Sequence, residues 1–350
     1  MNHRSCSRQL PHEAMHEIDF LQVSTTSKSA DALTARWTLP SGNIAIAVID
    51  AGYTDFGDTV ADHVERHYGT RAVDLVISTH PDQDHVEGLE KVLLRLEVAT
   101  LLIHVPRLHG YTQDAVAGQH AEDLLRIANA RGTRVEEPFS GAQYLEGSVT
   151  IMGPDRGYYE SLLQEQVLQA RAGRALARRF VTRARDLVRN VVPGDPGETL
   201  VDDAGGTSAR NNTSVVAIIE ADGQRLLFTG DAGVPAINRS LDVAPVSAHT
   251  IGFLDVPHHG SHHNVDPPLL DRLRQLGPAT GITAFVSSSD KDNDHPSPRV
   301  TNALKRRGFN VFTTENGNIW HRSGAPERPH YHDITPLPWL DESEGWPLSR

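Results

Sequence analysis

The stretch VDLVISTHPDQDHVEGL, residues 73–89, decides the fold of this protein. It opens with Val73–Ser78, an apolar run of strand length, and from Val86 onward its apolar residues recur at helical spacing. Four metal-competent side chains stand in the loop between these two elements: His80, Asp82, Asp84 and His85. Because α/β sheets bind ligands at the carboxyl ends of their strands, the loop is a candidate metal site. The alternative is a solvated polar loop in which Asp84 caps the helix.

Strands and helices alternate on both sides of this stretch, which favours a layered α/β fold over separate all-α and all-β units. The other predicted strands are Ile44–Ile49, Val98–Val105, Ser148–Met152, Ser214–Glu220, Arg225–Thr229, Ile251–Val256, Ile282–Val286, Asn310–Thr314 and Asn318–His321. The predicted helices are Thr59–Tyr68, Val86–Leu96, Ala115–Arg131, Pro267–Leu276 and Pro298–Arg307. The pair Asp222-Gly223 between two of the strands predicts a tight hairpin.

The pattern divides the chain into three parts. Residues 41–323 form the folded domain. Residues 1–40 are polar and irregular, apart from an apolar patch at Ile18–Val23, and are expected to form an N-terminal arm. Residues 324–350 are rich in proline and polar groups and are expected to form a tail.

One segment interrupts the alternation of strands and helices. Residues 158–192 read as an inserted long helix and residues 193–210 as a loop rich in Gly, Asp and Pro. The helix carries an excess of arginine, and its apolar and arginine faces lie opposite each other. It is either the solvated face of a packed helix or a lid that faces an anionic substrate, in which case Arg178 and Arg185 would bind that substrate.

Further strand ends in the second half also carry residues that bind metals. The strand LLFTGD ends at Asp231, and IGFLDVPHHG runs into His258 and His259. A later strand-to-helix loop contains His295. This repetition at successive strand ends argues for a shared metal centre, because the carboxyl ends of parallel strands meet at one edge of a sheet.

The ordered series of motifs resembles the metallo-β-lactamase superfamily, and within it the ComEC-type hydrolases. The motifs are VIDAG (48–52), STHPDQDHVEGL (78–89), NNTSVV (211–216), LLFTGDAG (226–233), VPHHGS (256–261) and DHPSP (294–298). The resemblance implies an αββα four-layer sandwich, here with an inserted long basic helix. It also implies two divalent metal ions, zinc or manganese, and hydrolysis by a hydroxide that the ions activate.

The same resemblance implies roles for individual residues. The implied metal ligands are His80, Asp82, Asp84, His85, Asp231 and either His258 or His259, with His258 favoured because it is nearer the strand end. Asp50 would orient these ligands without binding the ions itself. Asp84 and His295 would be catalytic, and Asn212 would contact substrate. The middle histidine of the superfamily is not evident, and His104, His109 and His120 are candidates by chain order only.

Composition limits the function further. The chain of 350 residues has a formal charge of −12, 19 His and one cysteine, Cys6. One cysteine excludes an internal disulfide, and the acidity argues against a surface built wholly to hold nucleic acid. No apolar run approaches the roughly 20 residues of a membrane span, and the first residues lack a signal peptide's apolar stretch. We therefore expect a cytoplasmic protein that makes no membrane contact.

The sequence predicts a metal-dependent phosphodiesterase or nuclease whose partner is an anionic substrate, either a nucleic acid or a nucleotide. Hydrolysis of a small ester, lactone or phosphocholine-like substrate is the alternative. A catalytically silent metal-binding regulatory module is the third reading. The sequence does not identify protein partners.

Overall fold

Two seven-stranded β-sheets pack face to face in the computed structural model of this chain, which describes residues 14–23, 28–111, 119–176, 190–201, 206–243, 250–328 and 334–342. Sheet A has the order β14-β1-β2-β3-β4-β5-β6. Its strands are β1 (His16–Phe20), β2 (Ala32–Thr38), β3 (Ile44–Ala51), β4 (Ala72–Ile77), β5 (Glu97–Leu102), β6 (Arg134–Glu136) and β14 (Ile319–Ser323). The four strands β3 to β6 run parallel to one another.

Sheet B has the order β13-β12-β11-β10-β9-β8-β7. Its strands are β7 (Gln143–Tyr144), β8 (Val149–Gly153), β9 (Val216–Ala221), β10 (Gln224–Phe228), β11 (Ile251–Asp255), β12 (Thr283–Val286) and β13 (Asn310–Thr313). The strands β10 to β13 are parallel. The hairpin between β9 and β10 turns at Asp222 and Gly223, which both have positive φ, as the sequence predicts.

Helices cover the outer face of each sheet. The helices are α1 (Phe56–His63, continued by a π-helical turn Val64–Tyr68), α2 (Gln83–Val86), α3 (Leu89–Arg95), α4 (Gln119–Arg131), α5 (Arg156–Leu176), α6 (Val234–Val243), α7 (Pro267–Leu276) and α8 (Pro298–Arg306). Apolar residues of α1 to α4 pack on sheet A, and those of α6 to α8 pack on sheet B. None of these described helices combines the length and apolar character that a membrane crossing requires.

The central core lies between the two sheets. Along β3, Ala45, Ala47 and Ile49 face the opposite sheet. Ile46 and Val48 alternate with them and face the helices. A strand buried on both faces reads as a continuous apolar run, which is why Ile44–Ile49 is visible in the sequence. The predicted αββα four-layer sandwich is confirmed.

Gly88 in the motif HVEGL allows α2 and α3 to pack against sheet A. A Cβ atom on Gly88 would lie 2.0 Å from the carbonyl oxygen of Ala51 at the end of β3. Any larger residue would push the helices away from the sheet, and the metal-competent loop before them would move as well.

The expected N-terminal arm is wrong where the structure describes residues 1–40, namely over residues 14–23 and 28–40. Strand β1 pairs with β14 and β2, and β2 pairs with β3, so this segment completes sheet A. The sequence hides β1 because its charged residues are buried: Glu17 and Asp19 bond to Arg328 instead of water. Buried charges of this kind are stabilised by pairing, which a hydropathy pattern does not detect.

The expected tail also packs on the domain where the structure describes it. Arg328 pairs with Asp19, and Asn302 of α8 donates to the carbonyl oxygen of Leu340 at 2.7 Å. The long basic helix begins at Arg156 and is described as far as Leu176. The rest of the predicted helix, including Arg178 and Arg185, lies outside the described residues.

His321 provides a test of this packing through pH. Its ring on β14 packs against Phe253 and His16, with ring centroids 5.0 and 5.2 Å away. Within the described residues its Nε2 has no hydrogen-bond partner. Burial, helped by neighbouring His16, lowers the pKa of His321 to about 3, whereas an unfolded histidine titrates near 6.5.

Because the folded-state pKa is depressed, the unfolded chain binds the extra proton, and stability falls as pH drops below about 6.5. His321→Phe removes this proton. In urea unfolding between pH 7.5 and 4.5, the free energy of unfolding of the variant should fall by up to about 1.4 kcal/mol less per pH unit than that of the parent. Metal loss at low pH affects both proteins equally. Parallel pH profiles for the two proteins would contradict the assignment.

Candidate metal centre

The carboxyl ends of the parallel strands in both sheets converge on one site. The loop after β4 supplies His80 to His85, and the turns after β10 and β11 supply Asp231 and the pair His258-His259. These side chains come from distant parts of the sequence and are brought together because the two sheets place the same strand ends side by side.

Asp231 lies at the middle of the cluster, and its two oxygens face different neighbours. Its Oδ2 is 3.6 Å from His80 Nε2 and 3.4 Å from His258 Nε2. Its Oδ1 is 3.2 Å from His85 Nε2. A carboxylate in this position can bridge two ions, one on each oxygen.

The first ligand group, defined here as His80, Asp82, His258 and Asp231 Oδ2, surrounds one of these positions. Asp82 Oδ2 lies 3.6 Å from His80 Nε2. The second ligand group is Asp84, His85, His259 and Asp231 Oδ1. Asp84 Oδ2 lies 3.6 Å from His259 Nε2. The ligand atoms of Asp84, His85 and His259 all lie within 4.8 Å of one another, and so do those of His80, His85 and Asp231.

The prediction that His258 is the favoured late histidine needs refinement. His259, rather than His258, lies next to Asp84 and His85, while His258 faces Asp231 on the other side. Both residues have left-handed backbones, with φ of 50° and 51°. This conformation is costly for residues with a Cβ and is found mainly at functional sites. Here it directs the imidazole of His258 into the first ligand group and that of His259 into the second.

A hydrogen bond sets the tautomer of His258. Asn264 Nδ2 donates to the carbonyl oxygens of Asp231 and Ala232, which leaves Asn264 Oδ1 to accept from His258 Nδ1 at 2.9 Å. Burial and the nearby rings of His259 and His295 lower the pKa of His258, while Asp231 acts to raise it. The Nε2 atom of His258 faces Asp231.

Two further carboxylates contact the Nδ1 atoms of the histidines in the second ligand group. Asp50 accepts from His85 Nδ1 at 2.8 Å and from the backbone N–H of Thr79 at 2.9 Å. Asp31 lies 3.5 Å from His259 Nδ1 and 3.6 Å from His85 Nδ1. Carboxylates in this position orient a ligating imidazole and raise its basicity. The structure therefore places Asp50 in the supporting position that the resemblance implies.

The donor set fits divalent cations. Within the described residues, several buried atoms that face one another at the centre have no hydrogen-bond partner, namely His80 Nε2, His85 Nε2, His259 Nε2 and Asp231 Oδ1. Buried polar atoms in proteins are nearly always bonded, so unpartnered nitrogen and oxygen atoms that converge are those that could hold a cation. Mixed imidazole and carboxylate ligands suit zinc and manganese.

The pKa shifts of these residues are consistent with a site that binds positively charged ions. Burial acts to raise the pKa of Asp231, but His258, His85 and His80 outweigh it and hold that pKa well below its usual range. Burial acts to lower the pKa of His85, but Asp231, Asp50 and Asp31 outweigh it and raise that pKa well above 6.5. Without ions the carboxylates thus favour the protonated rings of His85 and His259, and a bound cation would replace those protons.

His295 lies at the edge of this cluster. Its ring stacks on that of His258 with centroids 5.5 Å apart, and its Nδ1 is 3.4 Å from Asp292 Oδ2. Asp292 also accepts from the backbone N–H and hydroxyl of Ser29 at 2.9 and 2.8 Å. The structure brings His295 to the centre with a carboxylate that orients it.

Other predicted residues lie elsewhere. The Asn212 amide bonds to the backbone of Gly233 and Thr207, so it has a structural role, and Asn211 takes the place beside Asp231 at 3.2 Å. None of the three middle-histidine candidates, all of them described, lies in the cluster. His104 stacks on Tyr159, His109 binds Glu137 and Glu160, and His120 lies 3.8 Å from Glu87.

Sequence reasoning missed five residues that shape the centre: Asp31, Arg210, Asn264, Asp255 and Asp292. Asp31 was assigned to the arm. Arg210 donates to Asp82 Oδ1 at 2.9 Å. Asp255 accepts hydrogen bonds from the backbone N–H groups of Thr229 and Gly230, the two residues that precede Asp231 in the chain. A charged residue at the end of a buried strand was the available signal for Asp255, which ends β11.

Comparison with known proteins adds a family match. A family described as the metallo-beta-lactamase superfamily matches residues 45–280. ComE operon protein 3 of Bacillus subtilis is 25% identical over 257 residues, which cover 73% of this chain. The chain spans only 25% of the length of that relative.

Solved structures of two proteins are also similar. A candidate metallo-β-lactamase from Thermotoga maritima matches with 10% identity and a TM-score of 0.33, over 66% of this chain and 91% of the other. A metallo-β-lactamase with a HARLDQ motif from Cronobacter sakazakii matches with 12% identity and a TM-score of 0.33, over 67% of this chain and 74% of the other.

Metal analysis by mass spectrometry tests the two ligand groups. Protein loaded with zinc or manganese and then dialysed should retain up to two ions per chain. His258→Ala should lose the ion of the first group, and His259→Ala that of the second. Asp231→Asn should lose both, because it contributes to each group.

His120→Ala is the matched control, since this histidine lies outside the cluster, and it should retain the parent's metal content. Circular dichroism checks that each variant folds. If His258→Ala kept the full metal content in a folded protein, His258 would not be a ligand.

Proposed function

This chain belongs to the metallo-β-lactamase superfamily, and on that premise we propose that it is a metal-dependent hydrolase that cleaves phosphodiesters. The observation that carries the proposal is Asp231, whose two oxygens face separate ligand groups, each with an unpartnered imidazole nitrogen within the described residues. A centre with two cation positions a few ångströms apart suits displacement at phosphorus, because both the attacking and the leaving oxygen need stabilisation.

The first ligand group would hold one ion and the second ligand group the other. When bound, such ions lower the pKa of water and neutralise the charge of phosphoryl oxygens. Zinc and manganese both suit the mixed ligands, and Asp82 in the first group adds an oxygen that favours manganese.

The remaining chemistry is assigned to residues of this chain. The carboxylate of Asp84 is 27% exposed, so it can accept a hydrogen bond from an attacking water while it faces His259. His295, which contacts Asp292, would give a proton to the leaving oxygen. Asp50 and Asp31 keep the imidazoles of His85 and His259 aimed at the centre.

The resemblance of the motifs to the ComEC-type hydrolases favours a phosphodiester as substrate. In its nuclease form, the proposal adds Arg178 and Arg185 as contacts to a polyanion. Hydrolysis of a small ester, lactone or phosphocholine-like molecule is the second candidate, favoured by the net charge of −12. We also propose a cytoplasmic location, from the single cysteine.

Asp84→Asn tests the catalytic assignment. Bis-p-nitrophenyl phosphate hydrolysis should fall by about 10²-fold or more, since the variant loses a proton acceptor and an ionised ligand. Asp242→Asn is the matched control, because Asp242 is exposed and pairs with Arg272 on the surface. It should change the rate less than about twofold. A parent that cleaves p-nitrophenyl acetate or a lactone but no diester would favour the second candidate.

A double variant, Arg178→Ser with Arg185→Ser, tests the nuclease form. Cleavage of single-stranded DNA and RNA should fall by about tenfold or more at low salt, because a polyanion loses two cationic contacts. Hydrolysis of bis-p-nitrophenyl phosphate should be retained. Equal losses for both substrates would place the arginines in a structural role, and unchanged cleavage would remove them from the site.

A further inference from the structure

Arg210 lies beside the first ligand group, in the loop before the short 3₁₀ turn Asn211–Thr213. Its Nη1 donates to Asp82 Oδ1 at 2.9 Å, while the other oxygen of Asp82 faces His80. The backbone of Arg210 is fixed as well, because its carbonyl oxygen accepts from the hydroxyl of Thr213 at 2.6 Å. The guanidinium is therefore held one carboxylate away from the proposed ion.

Most of the donor capacity of Arg210 is unused within the described residues. A guanidinium has five N–H groups, and in the part of the chain that the structure describes Asp82 is its hydrogen-bond partner. The side chain is also 40% exposed. The remaining N–H groups are thus available to a molecule that binds at the first ligand group.

The charge balance of the centre gives these donors a role. The carboxylates that ligate or support the proposed ions are Asp31, Asp50, Asp82, Asp84 and Asp231. With the positive charge of Arg210 they leave a net of four negative charges, which is what two divalent ions neutralise. A substrate anion then meets a centre without net negative charge only if Arg210 is present, because the centre without it would repel the anion.

We propose that Arg210 is a substrate-binding residue that pairs with a non-bridging oxygen of a phosphoryl group and makes the site selective for anionic phosphoesters over neutral esters. Guanidinium groups bind phosphate through parallel N–H bonds, whereas a neutral ester offers no anionic oxygen. The inference rests on the proposed function and identifies a residue that determines its substrate specificity. The competing explanation is that Arg210 only positions Asp82.

Arg210→Met tests this assignment, with Arg210→Lys as the conservative variant. Arg225→Met is the matched control, because Arg225 forms a similar pair with Glu220 at 2.8 Å at the opposite end of the strand that leads to Asp231. Each metal-loaded protein is assayed with bis-p-nitrophenyl phosphate and with p-nitrophenyl acetate. Inorganic phosphate binding is measured by calorimetry, and metal content by mass spectrometry.

Arg210→Met should weaken phosphate binding and raise the KM for the diester by about tenfold or more, because a charge-assisted hydrogen bond is lost. Metal content and activity on the neutral ester should change less than about twofold. Arg210→Lys should recover part of the phosphate affinity, and Arg225→Met should match the parent.

Loss of metal, or equal losses on both esters, in Arg210→Met would overturn the proposal and assign Arg210 to the positioning of Asp82. Unchanged phosphate affinity would also overturn it. Phosphate binding separates this inference from the proposed function: a parent that hydrolyses no diester contradicts the function, yet an Arg210-dependent phosphate affinity would still support the anion contact.

Discussion

The carboxylate of Asp231 is the constraint on which the rest of the structure depends. It is buried, and its partners at the centre are imidazoles and the Asn211 amide. A buried carboxylate is tolerated only when positive charge compensates it, and histidines do so either as protonated rings or as ligands of a shared cation. Because Asp84, Asp50 and Asp31 add further negative charge around the same imidazoles, cations are the more complete solution.

The fold delivers this arrangement through rigid elements. Apolar strands buried on both faces fix where each strand ends, and the site is built from those ends. At His258 and His259 the local geometry is forced against its preference, because both residues have left-handed backbones. Surrounding hydrogen bonds offset the strain of this backbone, among them those of Asn264 to His258 and to the carbonyl oxygen of Asp231. Well-packed sheets therefore allow a strained pair of ligands.

Much of the fold was predictable because buried parallel strands and amphipathic helices leave periodic patterns. The helix Pro267–Leu276 agrees with its prediction residue for residue, and the Asp222-Gly223 hairpin follows from turn chemistry alone. Strand β1 was missed because Glu17 and Asp19 make it look polar, and their burial is explained by partners far along the chain, among them Arg328. The candidate ligands were also visible, since their residue types stand at predicted strand ends.

Most of the strands and helices, and the side chains at their carboxyl ends, follow from the sequence alone, because hydrophobic period and turn chemistry are local properties. Only the tertiary structure decided how those side chains divide between two ligand groups. It placed His259 beside Asp84, His258 beside Asp231, Asp31 behind two imidazoles, and Arg210 against Asp82. These contacts join residues far apart in the chain, and their geometry is set by how the two sheets pack, which no local pattern records.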